Sequence, residues 1–109
     1  MIKAVYLYNL KPGVDREEFE KYYFEQRIKQ VLQIPNLKKF TFSIVKEVSD
    51  DIPKFRYMAE CFYEKLEIAK KTINSDYFKD VHGYIASKLA DLTFIFYETH
   101  EWVPGKVEE

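Results

Sequence analysis

The sequence predicts an α+β fold: one antiparallel sheet of four strands with two helical regions on one of its faces. Three observations lead to it. Four strand-like runs, Ile2 to Asn9, Lys38 to Val45, Phe55 to Tyr63 and Leu92 to Thr99, are separated by two helical stretches and by turn chemistry. These runs carry aromatic or branched residues at odd and even positions alike, where a strand with one solvated face would alternate. With only 3 Gly and 4 Pro, and no Ser- or Gly-rich stretch, the chain shows no linker. It reads as a single domain, 1–103, with a short polar tail, 104–109. A chain of 109 residues buries roughly two thirds of its unfolded surface, enough for a core without disulfide or metal.

Taking the elements in order, Lys11-Pro12-Gly13 turns the chain out of the first strand. Asp15, with Glu18 three residues on, is a helix start of the capping-box type. The first helix should run from Arg16 to Leu32. At 100° per residue, Phe19, Tyr23, Phe24, Ile28, Val31 and Leu32 fill an arc of roughly 220°, wider than a surface helix needs. Pro35-Asn36 ends it, and the second strand follows. Ser49-Asp50-Asp51-Ile52-Pro53 is a turn-rich connection to the third strand. A second helical region begins near Glu64, runs through Leu66, Ala69 and Ile73, and restarts at Asn74-Ser75-Asp76, whose side chains can cap a new turn. Phe78, Val81, Ile85 and Leu89 then share one face up to Ala90. The order β-α-β-β-α-β is the split βαβ arrangement of ferredoxin-like folds.

That topology leaves one sheet face bare. Four five-residue strands about 4.8 Å apart present roughly 300 Å² in projection, at the limit of roughly 300–600 Å² for an apolar patch on a soluble monomer. A second copy covering the helix-free face is the simplest remedy, so a homodimer is expected.

Composition narrows the function. The 17 basic and 18 acidic residues nearly cancel, and Lys38-Lys39 and Lys70-Lys71 read as solvated faces, so nucleic acid is not an expected partner. No apolar run approaches the roughly 18 residues of a membrane span. Cys61 is the one cysteine, and the first residues, MIKAVYLYN, lack the regions of a secretion signal; both point to the cytoplasm. The two histidines, His82 and His100, have no metal-ligand spacing, and Gly13, Gly83 and Gly105 are too far apart for a phosphate loop. Neither metal nor cofactor is expected. Nine Tyr and nine Phe suit an interior that is part core and part polar cavity.

MIKAVYLYNLKPGVDREEFEKYYFEQ, QIPNLKKF, AECFYEKLEIA and FIFYETHEW together resemble the EthD-type members of the dimeric α+β barrel superfamily, over nearly the whole chain. The resemblance implies a ferredoxin-like dimeric α+β barrel. Relatives there include cofactor-free monooxygenases, polyketide cyclases, muconolactone-type isomerases and haem-degrading enzymes, so fold transfers more safely than reaction. One departure stands out. The first helix of such proteins usually carries a His, whereas the matching stretch here reads Tyr22-Tyr23-Phe24-Glu25-Gln26-Arg27. Arg27 stands at the position of the His, and a guanidinium cannot exchange a proton near neutral pH.

Arg27 falls at the centre of the apolar arc, between Tyr23 and Val31, and a buried charge there needs a partner. The structural reading is an ion pair with a carboxylate such as Glu60, or a side chain that snorkels out. The functional reading is contact with an oxyanion of a ligand. Glu60 lies between small Ala59 and Cys61, which suit close approach of helices, so Glu60, Met58 and Phe62 are expected on the dimer side. The resemblance places a Glu in the same context, either as a general base of raised pKa or as a partnered structural group. In the first strand, Tyr6 and Tyr8 are assigned to the cavity, with Val5 and Leu7 beneath the helices; Tyr57 and Tyr97 are similar cases. His82, at the edge of an apolar stripe, is a structural residue, a proton carrier, or an axial ligand as in haem-binding relatives.

The expected protein is a cytoplasmic EthD-like homodimer binding a flat, apolar organic ligand with one oxyanion. Arg27, Glu60 and His82 are the catalytic candidates, and Tyr6, Tyr8, Tyr23, Met58 and Phe62 the ligand-binding ones. Whether it catalyses a cofactor-independent isomerisation, cyclisation or oxygenation, binds its ligand without turnover, or binds haem through His82 stays open at this level.

Overall fold

A computed structural model describes residues 1–46 and 55–105, without the Leu92 side chain. The connection expected at 49–53 and the tail beyond residue 105 lie outside the described residues.

Strand β1, Ile2–Leu10, leads through a turn in which Gly13 takes φ +86°, a left-handed conformation that favours glycine. Helix α1, Arg16–Tyr22, starts where the Asp15 carboxylate accepts from the Glu18 backbone N–H at 2.9 Å. A π-helical turn, Tyr23–Arg27, joins it to α2, Ile28–Val31. Together they form the predicted first helix. Asn36, at φ 65°, turns the chain into β2, Lys39–Ile44. Strand β3, Tyr57–Tyr63, is followed by α3, Leu66–Ile73. The Ser75 hydroxyl accepts from the Phe78 N–H and starts α4, Asp76–Tyr84. A second π-helical turn, Ile85–Leu89, runs directly into β4, Ala90–Glu98.

The sheet is antiparallel with order β2-β3-β1-β4, the ferredoxin-like arrangement expected. Its core lies between sheet and helices. Ala4, Tyr6 and Tyr8 of β1 and Tyr57, Ala59, Cys61 and Tyr63 of β3 form one buried cluster with Phe19, Tyr23, Val31, Ala69, Phe78 and Ile85 from the helical layer.

The π-turn explains the spacing in the first helix. Its buried residues are Phe19, Tyr23, Arg27 and Val31, each four apart, and a strict four-residue repeat drifts ahead of a helix of about 3.6 residues per turn. The widened turn absorbs that drift and keeps all four facing the sheet.

Three expectations are corrected. Val5 and Leu7 do not lie beneath the helices: cross-strand pairing puts them on the opposite face, in register with Ile95 and Thr93 of β4 and Glu60 and Met58 of β3. The wider layer between sheet and helices takes the larger rings of Tyr6 and Tyr8. The buried arc of the first helix is narrower than 220° because Phe24 and Leu32 are exposed. The helix-free face is also less apolar than expected, since β2 contributes Lys39, Thr41 and Ser43 to it, in register with Phe62, Glu60 and Met58.

Candidate functional site

The helix-facing side of the sheet concentrates polar groups in an otherwise apolar layer. Arg27 is only 3% exposed. Its Nη1 donates to the Val81 carbonyl of α4, and no carboxylate pairs with it among the described residues. The ion pair with Glu60 does not form because the two side chains lie on opposite faces of the sheet.

Five buried side-chain polar atoms lack a hydrogen-bond partner among the described residues: Arg27 Nε, the hydroxyls of Tyr6, Tyr23 and Tyr63, and Thr99 Oγ1. Four of the five therefore share the layer that holds Arg27. Leaving such a group unsatisfied costs about 1–3 kcal/mol, so a concentration of them marks a place organised for something besides stability. The Tyr23 hydroxyl approaches Tyr8 and Arg27 without reaching hydrogen-bond geometry, and its ring stacks on Phe42 with centroids 3.8 Å apart.

Burial controls ionisation here. It raises Tyr6, Tyr23 and Tyr63 far above the ordinary tyrosine value and pushes Tyr8 and Cys61 up to about 12. The Arg27 charge opposes the rise for Tyr6, Tyr8, Tyr23 and Cys61 without cancelling it. At neutral pH these phenols are protonated and can donate hydrogen bonds.

A cleft of about 320 Å³ opens beside this layer, lined by Tyr6, Phe78, His82 and Phe94 with Ile73, Asn74 and Lys79 at its rim. The volume is at the lower end of small-molecule sites, roughly 300–1,000 Å³. Its walls are aromatic and tightly stacked: His82 lies 5.2 Å from Phe78 at an interplanar angle of 15°, and Tyr6 lies 5.0 Å from Phe94 at 27°. Burial first, and then the Arg27 charge, lower the His82 pKa, so its imidazole is neutral at pH 7 and able to accept a proton.

Because the unfolded chain binds that proton more tightly, stability should fall as pH drops below the ordinary histidine value of about 6.5, and the loss should level off below the folded pKa. Urea midpoints at pH 7.5 and 5.5 check this. The native protein should be less stable at pH 5.5, and His82→Asn should flatten the difference; an unchanged slope in the variant would place the effect elsewhere.

On the other face, Glu60 is held by Lys3 Nζ at 2.7 Å and by the Thr41 hydroxyl at 3.0 Å. Burial raises its pKa, but these two hydrogen bonds and the Lys3 and Lys39 charges outweigh it and leave the carboxyl below its ordinary value. Glu60 is thus an ionised, partnered group rather than a base of raised pKa. Lys3 and Lys39 also reach over the Phe62 ring, at 5.9 and 4.9 Å, and shield part of the apolar surface with their stems. A shallow depression of about 400 Å³ remains between Lys3, Val5, Leu7, Met58, Glu60 and Tyr97.

Of the residues singled out from sequence, the fold therefore gathers Arg27, His82, Tyr6, Tyr8 and Tyr23 on the helix side and puts Glu60, Met58 and Phe62 on the bare side. Sequence reading passed over Tyr63, Phe78 and Phe94 as site residues. Tyr63 shares strand parity with Ala59 and Cys61, which was the available signal. Among the described residues no group of His, Cys, Asp and Glu could hold a metal ion, and no helix is long and apolar enough to cross a membrane.

Residues 2–99 match the family model described as REDY-like protein HapK. No curated protein matches significantly. Among solved structures the chain is similar to an EthD-family protein of Bacillus halodurans, with TM-score 0.76 and 23% identity over 92% of this chain and 99% of that one. It is also similar to a dimeric ferredoxin-like protein of unknown function from Thermobifida fusca, with TM-score 0.68 and 14% identity over 90% of each chain. A third similar structure is SnoaB, a cofactor-independent oxygenase from Streptomyces nogalater, with TM-score 0.67 and 13% identity over 94% of this chain and 96% of that one.

Proposed function

The chain belongs to the REDY-like HapK family, and from that premise we propose that it is an EthD-like homodimer of the dimeric α+β barrel kind, binding a flat, apolar organic ligand with one oxyanion. The observation that carries this reading is a buried guanidinium with no carboxylate partner among the described residues, which donates to the carbonyl of Val81, the neighbour of His82 in the wall of an aromatic cleft. The cleft walls suit the ring of such a ligand, and Arg27 suits its negative charge. Pairing through the helix-free face is supported by exposed Ile95 and Tyr97 there and by the dimeric protein of the same fold. Unpaired Cys61 accords with a reducing, cytoplasmic setting.

If the protein turns its ligand over, the chemistry is of a cofactor-independent kind, as in SnoaB. Arg27 would stabilise charge developing on oxygen and neutral His82 would take up a proton. Glu60, across the sheet, has no part in that cleft.

Binding of 2-naphthoate and of uncharged 2-methylnaphthalene, followed by ligand fluorescence, tests the proposal. The native protein should prefer the anion. Arg27→Met should weaken 2-naphthoate by about 10- to 100-fold, the worth of a charge-assisted hydrogen bond, with little effect on 2-methylnaphthalene. Equal losses for both would make Arg27 a packing residue, and no binding of either by the native protein would refute the ligand-site reading.

A further inference from the structure

Beyond β4 the chain turns back across the sheet. The Thr99 N–H donates to the Met1 carbonyl at 2.8 Å, and the Glu101 carboxylate then pairs with Lys39 Nζ at 3.7 Å. Lys39 belongs to β2, at the opposite edge of the sheet from β4, three strand spacings or about 14 Å away. A few residues of extended chain and two long side chains span that distance. Residues 99–103 therefore form a strap past the ends of β1 and β3. It lies on the helix-free side, to which Lys39 points, beside the row that Tyr97, Lys3, Phe62 and Lys39 make across the sheet.

The strap carries Trp102, 74% exposed, and Val103, 60% exposed. Single exposed apolar side chains are ordinary, but these continue a patch. Met1 shares a recess with Trp102, and Tyr97 and Ile95 on the adjoining face are themselves exposed. The one ring contact of the indole among the described residues is with His100, also exposed. The same face holds a hollow of complementary character. The depression of about 400 Å³ begins at Lys3 and Tyr97, in the row beside the strap, and is walled by Val5, Leu7 and Met58, with Glu60 as its acceptor. One Glu60 oxygen takes Lys3 and the other the Thr41 hydroxyl; a carboxylate offers about four acceptor positions, so an N–H can still bond there. Apolar walls with one acceptor suit an indole, which has an apolar body and a single donor.

We infer that in the homodimer Trp102 of each copy seats in the depression of the other, its ring against Leu7, Met58 and Tyr97 and its N–H toward Glu60. This rests on the dimer reading above and adds to it the anchor residue and its socket. A knob and a hollow on one face of one chain are what a two-fold interface requires, since each copy gives and receives the same contact. Because strap and depression adjoin, a two-fold axis running along the strands brings each strap over the hollow of the other copy. Tryptophans buried in this way carry a disproportionate share of binding energy at interfaces.

Trp102 is the one tryptophan of the chain, so fluorescence excited selectively over tyrosine reports this site alone. The full-length native dimer should emit at shorter wavelength than the same protein diluted to single chains. Trp102→Ala should raise the dimer dissociation constant, measured by sedimentation, about 10- to 100-fold. Its circular dichroism spectrum should be unchanged, because the side chain is exposed in a lone subunit. Met58→Cys with a nitroxide on the new thiol puts a quencher in the depression, Cys61 being buried. Trp102 emission should then be quenched in the dimer and recover on dilution to single chains. A native dimer that emits as its single chains do, a Trp102→Ala protein that dimerises as tightly as the native one, or a labelled dimer without quenching would overturn the inference and leave the dimer standing. A native protein that sediments as one chain at tens of micromolar would overturn both.

Discussion

Replacing Phe19 with Ala is expected to lower the free energy of unfolding by about 3–5 kcal/mol, a large share of the roughly 5–15 kcal/mol available to a domain. Phe19 is 2% exposed, its ring lying 5.0 Å from Tyr57 and 5.8 Å from Tyr23. It is the first of the four helix residues that face the sheet. Truncation would remove contacts to both rings and leave a void that two flat, anchored side chains cannot close: Tyr57 is tied by its hydroxyl to Glu20 at 2.7 Å, and Tyr23 is stacked on Phe42. Thermal melts followed by far-ultraviolet circular dichroism should show the midpoint falling by more than about 10 °C. Phe19→Leu, which keeps most of the volume, should stay folded with a smaller loss. A shift below about 3 °C for the Ala variant would mean that the first helix does not anchor the core through this residue.

Ile95→Glu is expected to abolish the proposed dimer and spare the fold. Ile95 sits on β4, 38% exposed, beside buried Val5 on the helix-free face. In an isolated subunit a carboxylate there meets water. In a two-fold interface through this face it would be desolvated, and a buried charge without a partner is costly. Sedimentation velocity at tens of micromolar should find the native protein near twice 13.1 kDa and the variant near the single-chain mass, with matching circular dichroism spectra. A native protein that sediments as one chain would remove the dimer from the proposal, whatever the variant does.

Much of the fold was legible because its determinants are local. Asp15 and Ser75 cap helices where side-chain oxygens precede helical periodicity, and Gly13 takes the backbone conformation that its turn requires. In β3 the alternation of small Ala59 and Cys61 with larger Met58 and Phe62 distinguished the helix side correctly. The candidate site was less legible. Arg27 drew attention as a cation inside an apolar arc, yet its partner proved to be a backbone carbonyl 54 residues away, and nothing in a sequence marks one carbonyl among many. Glu60 suggested a base, but Lys3 and Thr41 hold it on the opposite face. Tyr63 went unremarked because aromatic residues in strands are ordinarily packing; only its orphaned hydroxyl sets it apart.

From the amino-acid order alone came the succession of elements, the family resemblance, the turn and cap positions and the cation inside the apolar arc of the first helix, since each depends on neighbours a few residues apart. Which side of β1 meets the helices was decided only by tertiary structure. A strand with Tyr6 and Tyr8 on one parity and Val5 and Leu7 on the other is apolar both ways, so a one-residue change of register exchanges its faces without a local penalty. Packing resolves that symmetry: the tyrosine rings fill the gap beneath the helices, where Arg27 lies, and the aliphatic side chains are left on the flat face with Glu60.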